Sequence, residues 1–313
     1  MRTIRDYQYV AAENRGASAA IGNFDGVHLG HRAVIDLARA EGARLDCPLG
    51  VVTFEPHPRR FFAPDAPPFR LMNAEARAHR LEKLGVDLLY ELNFNAALSS
   101  LTAEEFARNV LCDGLGLRHV VVGADFRFGK GRSGDVALLR ELGAACGFGV
   151  TEAALISDAT GQVSSTSIRN ALSEGRPADA ARMLGHWHRI DGPVIRGDQR
   201  GRELGYPTTN IAIDELHPPR FGVYAVLVDV LTGPYAGSYQ GAASIGVRPM
   251  FGENKPNLEV FLFDFSGDLY GEELSVALVA FQRPELKFDD LDALVAQMDA
   301  DCAEARRLLA PHG

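Results

Sequence analysis

Cysteine is scarce in this chain of 313 residues. Cys47, Cys112, Cys146 and Cys302 are scattered without C-x-x-C spacing, so a zinc ribbon and a disulfide-stapled scaffold are excluded and reduced, structural thiols are expected. Long apolar runs are missing as well. No segment is apolar for long enough to span a bilayer, and residues 1–6 lack a signal-peptide core, so no membrane partner and a cytoplasmic location are expected. Nor is there an excess of positive charge: 32 Lys and Arg against 41 Asp and Glu give a net charge of −9, which argues against a general nucleic-acid binder and for small-molecule partners. The glycine-rich run around Lys130 lacks the G-x-x-x-x-G-K-[ST] order, so a P-loop is excluded. No acidic cluster accompanies His57 or the His186-Trp187-His188 pair, which removes a zinc hydrolase.

What the chain does have is Gly22-Asn23-Phe24-Asp25-Gly26-Val27-His28-Leu29-Gly30-His31, placed after the apolar run Ala19-Ala20-Ile21 and before an amphipathic helix. Glycines let backbone approach a ligand closely, and histidines three apart share one face of a first helical turn. A helix N-terminus with two imidazoles suits a triphosphate, because amides and ring N–H groups both donate to phosphate oxygens. Taken blandly, the same residues make a tight packing turn with surface histidines. Two imidazoles on one face among three glycines favour the nucleotide reading.

Length and a hydrophobic fraction of 46% allow two packed domains. Alternating strand and helix patterns run to residues 183–190, with short buried strands expected at 49–54, 88–92, 119–123 and 149–153. Thr102-Ala103-Glu104-Glu105 matches a capping box and predicts a helix running toward Leu111 or Leu115. Strands alternating with helices imply a parallel sheet, and the loops after Ile21, Phe54 and Gly123 would converge at its carboxyl end. Beyond 190, strand patterns at 222–229, 237–246, 257–265 and 274–282 precede an amphipathic helix near 291–309, which implies a small antiparallel barrel.

Three further segments of the first half are unusual. Pro56-His57-Pro58-Arg59-Arg60 is a proline-restricted basic loop, read by itself as an ordinary proline turn. The run Asp125-Phe126-Arg127-Phe128-Gly129-Lys130 joins aromatics, cations and glycine, while Ser164-Ser165-Thr166-Ser167-Ile168-Arg169 places capping hydroxyls at a helix start with Arg169 one turn on. In the second half, Arg196, Arg200 and Arg202 read as a solvated cluster, whereas Thr208 and Asn210 offer hard oxygen ligands two apart beside Pro207, suited to magnesium held against ATP phosphates. Glu259 interrupts the apolar run 258–265. It either faces solvent from an edge strand or has a chemical task. Tyr206, Phe221, Tyr224 and Phe251 are read as core aromatics.

Taken in order, G-x-F-D-G-x-H-x-G-H, P-H-P, V-G-x-D-F-x-F-G and S-S-T-x-I-R resemble the amino-terminal half of the bacterial bifunctional riboflavin kinase and FAD synthetase family. G-R-x-L-G-x-P-T-x-N, G-V-Y-A-V, I-G-x-R-P, L-E-V-F-L-F-D-F, L-Y-G and R-P-E-x-K-F resemble its riboflavin kinase module. The resemblance implies an α/β protein in two parts. Residues 1–184 form a Rossmann-like nucleotidyltransferase domain around a parallel sheet, and 185–313 an antiparallel β-barrel kinase domain ending in a long helix. It implies that riboflavin is phosphorylated to FMN and FMN adenylylated to FAD, with ATP as co-substrate, Mg2+ as cofactor and flavins as substrates and products. ATP of the adenylyltransferase falls to Gly22, Phe24, Asp25, Gly26, His28, His31, Ser165, Thr166 and Arg169. FMN falls to Pro56, His57, Pro58, Asp125 and Arg127. Kinase ATP and magnesium fall to Gly201, Arg202, Pro207, Thr208 and Asn210, with Thr208 and Asn210 on the metal, and His28, His31 and Glu259 are the catalytic residues. One position departs from the family: Met250 stands where a threonine is common, in Ile245-Gly246-Val247-Arg248-Pro249-Met250-Phe251. Two alternatives stay open on sequence: a chain with one active module, and a non-catalytic flavin-binding regulator. The oligomeric state is left open.

Overall fold

Short runs of Val, Ile, Leu and Ala bounded by glycine, proline and aspartate fold as strands buried on both faces, as a parallel sheet covered by helices requires. The structure is a computed structural model. It describes the chain except 155, 159–160, 198–204, 214, 251–252 and 313, and describes 158, 161–162, 248–250 and 253–254 by their backbone alone. It groups into two compact units, Met1–Ala66 with Arg77–Val163, and Pro67–Ala76 with Ser164–Gly313.

The first unit carries β1 (Arg2–Ile4), β2 (Ser18–Ile21), α1 (Leu29–Leu45), β3 (Leu49–Glu55), α2 (Pro58–Phe62) and α3 (Ala74–Lys83), which joins this unit at Arg77. It continues with β4 (Leu88–Asn93), α4 (Ala96–Ser100), α5 (Ala103–Glu105), β5 (His119–Gly123), α6 (Val136–Cys146) and β6 (Gly149–Ala153). A small ribbon of β7 (Ser157–Asp158) and β8 (Gly161–Gln162) follows. The six-stranded sheet has the order β1-β4-β3-β2-β5-β6, with every pair parallel. Because the chain moves outward from β2 toward β3 on one side and β5 on the other, the switch point lies at the carboxyl end of β2, where such sheets bind ligands. The expected strands of this half are all present. Thr102 caps α5 through the expected box, its Oγ1 accepting from Glu105 N at 3.1 Å and its N donating to Glu105 Oε2 at 2.8 Å. The helix then differs from expectation. After one α turn it widens into a π-helix over Phe106–Cys112, which buries Phe106, Ala107, Val110 and Leu111.

In the second unit, α7 (Ser165–Ser173) and α8 (Pro177–Leu184) precede β9 (Arg189–Pro193), β10 (Thr209–Ala212), β11 (Gly222–Val230), β12 (Gly237–Met250), β13 (Glu253–Leu262), β14 (Glu273–Arg283) and α9 (Leu291–Leu309). The strands form one antiparallel sheet in the order β10-β13-β12-β11-β14-β9, and a bridge between Ile195 and Asn210 draws its two edges into a near-barrel. Its core holds Ile190, Ile211, Val226, Ile245, Leu258, Val260 and Leu278. Helix α9 covers the outside, burying Ala305 and Leu309 against Ala225, Phe263 and Val279. The segment 67–76 belongs here by its hydrogen bonds: Arg70 O accepts from His217 N at 2.8 Å, and Phe69 O from Arg169 Nη1 at 3.2 Å.

Two sequence expectations need correction. The strand expected at 257–265 ends at Leu262, because Asp264 takes a left-handed φ of 55°, which a strand does not continue. β13 lies between β10 and β12, so Glu259 does not stand on an edge strand. As expected, Trp187 packs against the core beneath α9, while His188 is 3% exposed and burial drives its pKa down to about 3. Tyr224 is likewise buried in the barrel core, with Phe221 packed against it.

Candidate functional site

The ten-residue turn after β2 is held open by backbone that side chains ordinarily avoid. Phe24, Gly26 and Val27 all have positive φ, 50°, 89° and 43°, and only the glycine adopts this without strain. Burial compensates, since Phe24 and Val27 are almost fully enclosed. Asn23 O is tied down from two sides, by Thr53 Oγ1 at 3.2 Å and Arg77 Nη1 at 3.5 Å. The turn delivers His28 as the N-cap of α1, where its Nδ1 accepts from His31 N at 3.2 Å. That bond puts the proton of a neutral His28 on Nε2. The two imidazoles stack, with centroids 3.6 Å apart and planes 16° apart. Gly30 makes this possible: a Cβ there would lie 3.0 Å from His28 Cε1 and 3.1 Å from its Nδ1. Burial first, and the neighbouring His28 second, push the pKa of His31 well below that of an ordinary histidine. His31 is therefore neutral at pH 7, and its Nδ1 is enclosed without a hydrogen-bond partner among the described residues.

The remaining residues of the first unit lie on the neighbouring strand ends. His57 caps α2, its Nδ1 accepting from Arg59 N at 3.1 Å, next to the cis Glu55–Pro56 bond. Beyond it, Phe54, Phe61, Phe62 and Phe94 form an edge-to-face cluster, and Phe62 is 68% exposed. After β5, Asp125 is exposed and Arg127 pairs with Asp135 at 3.6 Å, while Phe126 stacks on the buried Phe128. β2 is flanked by β3 and β5, so the turn, the proline loop and the Asp125 loop start from adjacent strands. Sequence reasoning missed Arg77. It is 1% exposed and its Nη2 donates to Glu55 Oε2 and Glu91 Oε2, both at 3.0 Å, joining β3, β4 and the turn through one guanidinium. A lone arginine on a polar helix gives no signal of this in one sequence.

Ser165, Thr166 and Arg169 lie on α7 of the second unit. Ser164 caps that helix, accepting from Ser167 N at 3.1 Å, as its position in the hydroxyl run predicts. In the sheet of that unit, Asn210 stands opposite Glu259, and Glu259 opposite Ser244, so the three share one face. Asn210 is 5% exposed, and its Oδ1 accepts from Asn257 Nδ2 at 2.7 Å. Pro207, Thr208, Asp268 and Tyr270 line a cavity of about 300 Å³, and Arg196 lies over the Tyr270 ring, 5.4 Å from its centroid. Gly201 and Arg202 lie outside the described residues, as do Phe251 and the side chain of Met250. Among the described residues no group of three His, Cys, Asp or Glu could hold a metal ion, so the available donors are hydroxyl, amide and single carboxylate oxygens. No helix among them is long and apolar enough to cross a membrane.

A histidine-capped helix at the switch point of a parallel sheet, and a near-barrel that sets an amide and a carboxylate on one sheet face, define a two-module transferase of the nucleotide-using class. The FAD synthetase family model matches residues 10–167 and the riboflavin kinase family model residues 184–309. The chain is 43% identical over 312 residues to the bifunctional riboflavin kinase/FMN adenylyltransferase of Pseudomonas fluorescens, covering 99% of each. It is 38% identical over 307 residues to that of Escherichia coli K12, covering 98% of this chain and 97% of the other. A crystal structure described as a macrolide-efflux protein from Streptococcus pneumoniae superposes with a TM-score of 0.84 at 31% identity, covering 98% of each chain. The chain belongs to the bifunctional riboflavin kinase/FMN adenylyltransferase family.

Proposed function

We infer that this chain makes FMN from riboflavin in its carboxyl-terminal half, 185–313, and FAD from FMN in its amino-terminal half, 1–184, using one ATP at each step. The observation that carries the reading is the presence, within one full-length match, of both reaction centres: His28 stacked on His31, and Glu259 opposite Asn210. Mere flavin binding would need neither, which disfavours a non-catalytic regulator or a single active module.

In the kinase half, Glu259 takes the proton of the riboflavin 5′-hydroxyl as its oxygen attacks the γ-phosphorus of ATP and ADP leaves. Thr208 and Asn210, with Gly201, Arg202 and Pro207 around the nucleotide, hold Mg2+ and the phosphates. An oxygen-only donor set that includes a buried amide fits this hard cation, whose other ligands are phosphates and waters. Bound there, Mg2+ neutralises phosphate charge.

In the adenylyltransferase half, an FMN phosphate oxygen attacks the α-phosphorus of ATP, the bond to the β-phosphate breaks and pyrophosphate departs. No covalent nucleophile is needed, so alignment and charge stabilisation dominate. His28 and His31, with the turn residues Gly22, Phe24, Asp25 and Gly26 at the N-terminus of α1, hold the phosphates, Gly22 through its close backbone approach since its own amide donates to Val52 O. Ser165, Thr166 and Arg169 are assigned to ATP by the resemblance of their S-S-T-x-I-R run to the family. Pro56, His57, Pro58, Asp125 and Arg127 hold FMN. Four free thiols suit a cytoplasmic, reducing location. Incubation with riboflavin, ATP and Mg2+ is expected to give FMN and then FAD by chromatography, and a chain that stops at riboflavin or at FMN refutes one half of the reading.

A further inference from the structure

Asn210 is not free to turn. A Cβ on Gly197 would lie 2.4 Å from Asn210 Nδ2 and 2.8 Å from its Oδ1, so backbone presses on one side of the amide, while Asn257 donates to Oδ1 from the other at 2.7 Å. Both asparagines are almost fully buried, 5% and 3% exposed. Asn257 precedes Glu259 by two residues on β13 and therefore shares its sheet face, diagonal to Asn210 in the register. The Oδ1 of Asn257 is itself buried and accepts no hydrogen bond among the described residues.

We infer that Asn257 is a positioning residue of the kinase reaction. Its Nδ2–H is a donor only, and it selects the rotamer of Asn210 in which Oδ1 faces it. An amide oxygen has two acceptor positions, and with one engaged by Asn257 the other is held in a fixed direction for a cation. Turned by half a revolution, the same amide would present N–H groups to the metal and repel it. The orphaned Oδ1 of Asn257 is left for a donor that arrives with the substrates. This inference rests on the reading above that Asn210 ligates magnesium.

The test uses the full-length chain with Asn257→Leu, Asn257→Thr and Asn210→Ala. Mn2+ bound in the presence of ADP is counted by electron paramagnetic resonance, and the Asn210→Ala variant marks the share of this site. Asn257→Leu, with the same branched side-chain shape as asparagine but without a donor, is expected to weaken that class of Mn2+ about tenfold, the effect of one hydrogen bond. It should raise the Mg2+ requirement of FMN formation similarly, with FMN adenylylation unchanged. Asn257→Thr retains a hydroxyl donor on a residue suited to a strand and should recover part of the Mn2+ affinity. Wild-type Mn2+ affinity in Asn257→Leu, or equal weakness in the Leu and Thr variants, overturns the positioning role. Retention of both Mn2+ and kinase activity by Asn210→Ala overturns the site reading itself, and the inference with it.

Discussion

The two reaction centres proposed for this chain have opposite constructions. The proposed centre of the first unit is one continuous turn, whose strained backbone holds two stacked imidazoles. In the second unit it is a face of an antiparallel sheet, where Asn210, Asn257 and Glu259 meet only because β10 and β13 pair in one register. A site built on a turn is rigid through local geometry and burial. A site built on register depends on strands distant in sequence, and a slip of one residue would turn every one of its side chains to the other face.

The sharpest way to break this comparison is to remove each reaction centre in turn. His28→Ala with His31→Ala should lower FMN adenylylation by about 10³-fold or more and leave riboflavin phosphorylation within about twofold, by steady-state assay of each step. Glu259→Gln should do the reverse, lowering phosphorylation by about 10²- to 10⁴-fold.

A smaller effect separates support from chemistry. Arg77→Met removes the buried partner that Glu55 and Glu91 share and leaves the enclosed Glu91 with only the exposed Arg5 guanidinium, 3.2 Å away. It should destabilise the first unit by about 3 kcal/mol. Hydrogen exchange should rise over β2, β3 and β4 and stay unchanged over β10 to β14.

Acid should act on the second unit through His188. Its folded pKa is about 3, below the ordinary value, so between the two the unfolded chain binds the proton and the folded chain does not. Stability is therefore full above about pH 6.5 and falls as the pH drops toward 3, by an amount of the order of 3 kcal/mol at pH 4. Thermal midpoints against pH should show this slope, and His188→Leu should flatten it.

The smallest change is Gly30→Ala. Its Cβ would press on the His28 ring, and adenylylation should fall about tenfold with the kinase step untouched.

How much of this was legible beforehand follows from the same contrast. The turn is readable because its glycines and imidazoles lie within ten consecutive residues, and the parallel sheet because each strand is a continuous apolar run. The capping hydroxyls of Thr102 and Ser164 are readable for the same local reason. Arg77 and Asn257 gave no signal. Each acquires its meaning from partners that only the tertiary fold supplies, a pair of carboxylates on two strands and an amide on another. The end of β13 is not legible in the sequence, because Asp264 breaks an otherwise strand-like apolar run by a single left-handed residue.

The central claim is that two separate reaction centres work in one chain, and supplying FMN directly to Glu259→Gln tests it most directly. With ATP and Mg2+, this variant should convert FMN to FAD at the wild-type rate while leaving riboflavin unphosphorylated. Loss of FAD formation from supplied FMN, or FMN formation at the wild-type rate from riboflavin, would contradict the account.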